Sequence, residues 1–179
     1  MKNARLPNTI IAIYYFALAV TLEVLLICRV IEHPNWYLGL VLALSSFPEI
    51  VLYFLDHEYR HKICAGTILL AVISTVCGIL FSFLPNVNPE TICIFWGILD
   101  ILRGVNQVFL SSLEVKNHKL AFAKMAINIL TIVVGILLCI HLKNGIRFHL
   151  IMLGVSIILL GAYEIVQTIV YKRGVRSEN

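Results

Sequence analysis

Apolar residues fill this chain in six long runs, at 8 to 29, 36 to 56, 63 to 84, 91 to 113, 119 to 141 and 148 to 171. A helix needs about 20 mostly apolar residues to cross a bilayer, and each run approximates that length. Between the runs lie the short polar breaks IEHPN, HEYRHK, PNVNPE, EVKNHK and KNGIR. They carry Pro, Gly or Asn, or dense charge, and are too short to fold alone. Adjacent helices are therefore expected to run as antiparallel hairpins.

The pattern repeats. Residues 61 to 80, HKICAGTILLAVISTVCGIL, match 118 to 137, HKLAFAKMAINILTIVVGIL, at a shift of 57. Aligning Gly39, Gly97 and Gly154 brings Ser46, Gly104 and Gly161 together, and then Glu49, Gln107 and Glu164. The expectation is an all-α integral membrane bundle of six transmembrane helices, built from three repeated helical hairpins of about 57 residues. Their approximate limits are 1–60, 61–117 and 118–175, within one transmembrane domain over 1–179.

Spacings of three, seven and ten residues return to one helix face. On the even helices that face reads Gly39, Leu42, Ser46, Glu49, Tyr53; then Gly97, Asp100, Gly104, Gln107, Ser111; then Gly154, Ile157, Gly161, Glu164, Thr168. The third and fifth helices carry matching seams, Cys64, Thr67, Ala71, Ser74, Gly78 and Ala121, Lys124, Asn128, Thr131, Gly135. Small residues let backbones approach closely in lipid, so the seams are expected to face one another.

Composition strengthens the membrane reading. Of 179 residues 60% are hydrophobic and 13% charged, against about a quarter charged in a soluble domain. Mean hydropathy is +0.92. No short apolar stretch is followed by a small-residue cleavage site, so the first helix is expected to stay in the product. The five cysteines, Cys28, Cys64, Cys77, Cys93 and Cys139, form no CxxC pair and read as small packing residues. The net charge of +4 does not imply nucleic acid here, because its distribution over the loops sets orientation. Nine Lys and Arg (Lys2, Arg5, Arg60, Lys62, Lys116, Lys119, Lys172, Arg173, Arg176) flank one side, against Arg29, Lys143 and Arg147 on the other. By the positive-inside rule both termini are expected in the cytoplasm.

Glu23, Glu49, Asp100, Arg103, Lys124 and Glu164 all fall within the runs. Each costs about 2.5 kcal/mol or more at bilayer depth. Arg103 follows Asp100 by three residues and precedes Gln107 by four, so both can reach its guanidinium along one flank. Glu49, Glu164, Gln107 and Lys124 are expected to cluster near the inner leaflet, with Asn128 on the same seam as Lys124. Such a cluster would be a proton-exchanging or ion-binding site, or a set of hydrogen bonds that only fixes helix packing. For Glu23, near a helix end, snorkelling to the interface is the simpler account.

Residues 57 to 61, HEYRH, match the HExxH zinc motif. They form a short charged turn with no third ligand in evidence, so a charged interfacial turn is the expectation. His33, His141 and His149 lie at outer helix ends, where a solvated or interfacial role is expected. Tyr14 and Tyr15 are expected to face lipid or pack. No P-loop, dinucleotide fingerprint, GxSxG or haem motif occurs. No enzymatic activity, cofactor, metal or nucleic-acid partner is expected; the bilayer is, and a second copy or another membrane protein remains open.

The stretches LGLVLALSSFPEIVLYF, WGILDILRGVNQVFLS and LGVSIILLGAYEIVQTI, with the VCGIL and VVGIL helix ends, resemble the HdeD family of small six-helix bacterial membrane proteins. Ser46 with Pro48 and the weak first helix depart from the frame. The resemblance implies an inner-membrane protein linked, in the enteric member, to acid resistance. It implies no catalytic residue. The expected function is a membrane stress-response protein whose buried carboxylates respond to protons or cations. A structural or assembly partner of other membrane proteins, and a small-solute transporter or channel, are the alternatives.

Overall fold

The computed structural model describes residues 6–27, 34–55, 65–84, 87–113, 118–140 and 146–176. Six helices make up nearly all of it: α1 Leu6–Ile27, α2 Pro34–Leu55, α3 Ala65–Phe83, α4 Pro89–Leu113, α5 His118–Cys139 and α6 Ile146–Arg176. Among the described residues there is no strand. Helices α2 to α6 are each long and apolar enough to cross a membrane, and α1 contributes the apolar stretch Ile10–Leu25. The chain is therefore a multi-pass membrane protein, as the apolar runs predict.

Local chemistry sets the helix ends. Asn88 caps α4: its side chain accepts from Glu90 N at 3.0 Å and its carbonyl from Thr91 N at 2.9 Å. Pro89 follows at the first helical position, where a missing N–H removes no bond. Inside α2, Pro48 has the opposite effect, because it deprives the Leu44 carbonyl of its helical donor. The Tyr14 hydroxyl of α1 donates to that carbonyl at 2.9 Å, and the Tyr15 hydroxyl to Ser45 O at 2.9 Å. Both tyrosines thus pack, and both bind α1 to the turn of α2 that precedes Pro48.

The helices associate in three tight antiparallel pairs: α2 with α3, α4 with α5, and α6 with α1. Glycines set the first two. A Cβ on Gly39 would lie 2.6 Å from Gly78 O, and one on Gly97 would lie 2.6 Å from Gly135 O. In the third pair Gly161 meets Tyr15 and Ala12, while the Glu23 carboxylate fills the space beside Gly154. The sequence repeat begins on an odd helix, whereas the packed pair begins on an even one. The two are offset by one helix, and the last pair joins the chain's first helix to its last.

Helices α2, α4 and α6 form the inside of the bundle. Half or more of their spans is buried, 61%, 50% and 50%, against 22% for α3 and 33% for α5. The even-helix seams are buried over Gly39, Leu42, Ser46 and Glu49, over Gly97 through Ser111, and over Gly154 through Glu164. Thr67, Ala71, Ser74 and Gly78 of α3 are buried too, as are Lys124, Asn128, Thr131 and Gly135 of α5. Outward positions such as Leu69, Val76, Phe122 and Val133 are exposed and apolar, as a lipid-facing surface requires.

Candidate functional site: a buried charge cluster

Arg103 stands where the inner helices meet. Its Nη1 lies 3.7 Å from Asp100 Oδ1 one turn earlier, its Nε lies 3.7 Å from Glu49 Oε1 on α2, and its Nη2 donates to Ser46 Oγ at 3.2 Å. Asp100 accepts from Ser156 Oγ on α6 at 2.5 Å, and Trp96 stands one turn before it on α4. One ion pair therefore ties α2, α4 and α6 together. Asp100 is fully buried and Arg103 is 3% exposed, a depth at which an unmatched charge would cost several kcal/mol.

A second centre adjoins the first. Among the described residues, Glu49 on α2 and Lys124 on α5 bring charge near Glu164. Glu49 thus faces both Arg103 and Glu164 and links the two centres. Glu49 and Gln107 each stand six residues before the ends of their helices at Leu55 and Leu113, and Lys124 six after the start of α5 at His118. At 1.5 Å per residue all three lie about 9 Å from the same end of the bundle, the end where α1 begins and α6 finishes. We call this the terminal end.

Gln107 is buried on the α4 face between Arg103 and Ser111, and Asn128, fully buried on α5, donates to Ser111 Oγ at 3.4 Å. Asn106 points the other way and donates to Thr67 Oγ1 of α3 at 2.8 Å. Among the described residues, Glu49 Oε2, Asp100 Oδ1 and Asn128 Oδ1 are buried acceptors with no hydrogen-bond donor.

On the side away from the terminal end the cluster is covered. Leu38, Trp96 and Leu153 occupy equivalent positions on the three inner helices, at 0%, 1% and 0% exposure. Leu42 and Ile157, aligned with Asp100 in the repeat, are buried too. These residues form an apolar layer, beyond which His149 is again a buried polar group.

Two placements differ from the sequence reading. Glu23 does not extend to an interface; it is partly buried against Gly154, because a glycine there leaves room for a carboxylate. His149 is buried at 1% exposure, edge-to-face with Phe148, with neither ring nitrogen hydrogen-bonded. It falls on the inward face of α6, one turn before Leu153, so helical phase overrides its closeness to a helix end. Sequence reasoning did not single out Ser156, whose role depends on the contact between α4 and α6, or Trp96, one turn before Asp100 on α4. His33, His141 and HEYRH at 57 to 61 lie outside the described residues, as do Cys28 and Cys64. Cys77, Cys93 and Cys139 are free thiols. Among the described residues no three His, Cys, Asp or Glu converge as a metal site.

Comparison with known proteins bears on the repeat. A family model described as a short repeat of unknown function (DUF308) matches twice, at residues 69–140 and 126–178. The two matches begin 57 residues apart (126 − 69), the period read from the sequence. No curated protein and no solved structure matches the chain significantly. Together the two family matches span 69–178 of 179 residues, well over half, and the chain belongs to the DUF308 family of repeat proteins.

Proposed function

We propose that this chain is an HdeD-like, non-enzymatic protein of the bacterial inner membrane that serves in stress or acid resistance, with both termini cytoplasmic. Its buried carboxylates answer to protons or a cation arriving from the terminal end. The observation that carries this reading is the juxtaposition of Glu49 and Glu164, equivalent residues of two repeats, with Lys124 facing them inside the bundle. Two acids brought together at bilayer depth make their charge state sensitive to the surroundings. The covering layer of Leu38, Trp96 and Leu153 favours binding at this site over passage through it, so a transporter is the weaker alternative. Replacing Glu49→Gln together with Glu164→Gln should impair acid survival of the host cell. Survival equal to that with the parent protein, at equal membrane abundance, would remove the stress-response reading.

A further inference from the structure

His149 is 1% exposed, and neither of its ring nitrogens has a hydrogen-bond partner. A buried polar group left unmet costs about 1–3 kcal/mol, so an imidazole in this state asks for a ligand. Its place in the bundle identifies a companion. Helices α4 and α6 run parallel, both finishing at the terminal end, and the bond from Ser156 Oγ to Asp100 at 2.5 Å fixes their register. Seven residues earlier on each helix, two turns back on the same faces, stand Cys93 and His149. The register thus sets a thiol opposite the imidazole across the contact of α4 with α6. Cys93 is fully buried and free of any disulfide.

We propose that Cys93 and His149 form a two-ligand site for a soft monovalent cation of the copper(I) class. This goes beyond the function proposed above and does not depend on it. A thiolate and an imidazole are ligands that suit copper(I). Zinc needs three or four protein ligands, and among the described residues no three His, Cys, Asp or Glu converge. Charge points the same way. A thiolate and a monovalent cation cancel, as the buried apolar side chains of this level, Ile92, Trp96, Leu150 and Leu153, require, whereas a divalent ion would leave a net charge among them. Access is short: Cys93 stands four residues after Pro89 and His149 three after Ile146, at most about 6 Å from the bundle end opposite the terminal one. On binding, the Cys93 thiol gives its proton to water as the sulfur–metal bond forms, and one His149 nitrogen donates its lone pair. No electron is transferred. The other thiol at this level, Cys139 on α5, is engaged on the Ile94 carbonyl at 3.6 Å and stays outside the site.

The test is anaerobic copper(I) binding to the full chain in nanodiscs, with Cys28, Cys64 and Cys77 replaced by alanine to remove the remaining thiols. One copper per chain should survive a competing copper(I) chelator, and X-ray absorption should show one sulfur and one nitrogen on the metal. Cys93→Ala and His149→Leu should each abolish retention, and Cys139→Ala should leave it unchanged. No retained copper, retention indifferent to both Cys93→Ala and His149→Leu, or a metal bound by two sulfurs overturns the proposal. Thermal unfolding of each variant checks that it is folded. The one-sulfur, one-nitrogen shell is read with Cys93 and His149 both in place, so it decides the matter even where His149→Leu does not fold.

Discussion

The Tyr14 hydroxyl donates at 2.9 Å to the Leu44 carbonyl, the group that Pro48 leaves without its helical N–H. In lipid no water can replace that donor, so a side chain from the neighbouring helix does. Tyr14→Phe should therefore destabilise the bundle by about 1–2 kcal/mol. The same change in a Pro48→Ala background should cost far less, because the restored N–H bonds to Leu44. Unfolding of the four proteins in mixed micelles would show this as an interaction energy. Additive effects would mean that the two features are independent.

Gly97→Ala and Gly135→Ala should each cost about 1–3 kcal/mol, since the added Cβ meets the opposing carbonyl at 2.6 and 2.7 Å. Gly66→Ala is the control. Its Cβ would meet only the Asn106 side chain at 3.3 Å, which can yield, and the gain in helix propensity offsets the contact. Thermal unfolding in detergent should separate the first two variants clearly from the third.

Arg103→Met removes the cation that faces Asp100 and Glu49 and leaves both carboxylates buried. The expected cost is about 3–5 kcal/mol. Adding Asp100→Asn and Glu49→Gln should recover most of it, since the uncompensated charge is the cause. A triple variant as unstable as Arg103→Met would assign the loss to packing.

Trp96→Ala should open the apolar layer that covers the cluster. Liposomes holding the parent protein should retain a proton gradient, and those holding the variant should lose it faster. Equal retention would place the barrier elsewhere than at Leu38, Trp96 and Leu153.

The pairing of α6 with α1 predicts a tolerated circular permutation. Pairs α2 with α3 and α4 with α5 are joined across the terminal end, by residues 56–64 and 114–117. The third pair has its chain ends there instead. Linking the C-terminus to the N-terminus and opening the chain between α1 and α2 should give a bundle with the parent's elution volume and a melting temperature within a few degrees.

Much of this architecture is legible in the sequence because lipid narrows the choices. Apolar length marks the helices, and the recurrence of Gly39, Gly97 and Gly154 marks the inner face. Which neighbour each helix grips is not legible. An odd helix has an antiparallel even helix on both sides in sequence, and only backbone fit, as of Gly39 on Gly78, decides between them. The same holds within the site. The spacing of Asp100 and Arg103 shows a local pair, but the reach of Arg103 to Ser46 and Glu49, and of Asp100 to Ser156, depends on how α2, α4 and α6 converge. His149 shows the limit of position along the chain as a guide, since its helical phase decided its burial.

The union of the first helix with the last also sets an order of assembly during synthesis. Gly161 follows its partner Tyr15 by 146 residues (161 − 15), so at about 5–20 residues per second α1 waits on the order of ten seconds for α6. During that interval its strongest eventual partner does not exist. The hydroxyls of Tyr14 and Tyr15, bonded to carbonyls of α2, are contacts available almost at once, and they can hold the newborn helix in place until the ring of three pairs closes.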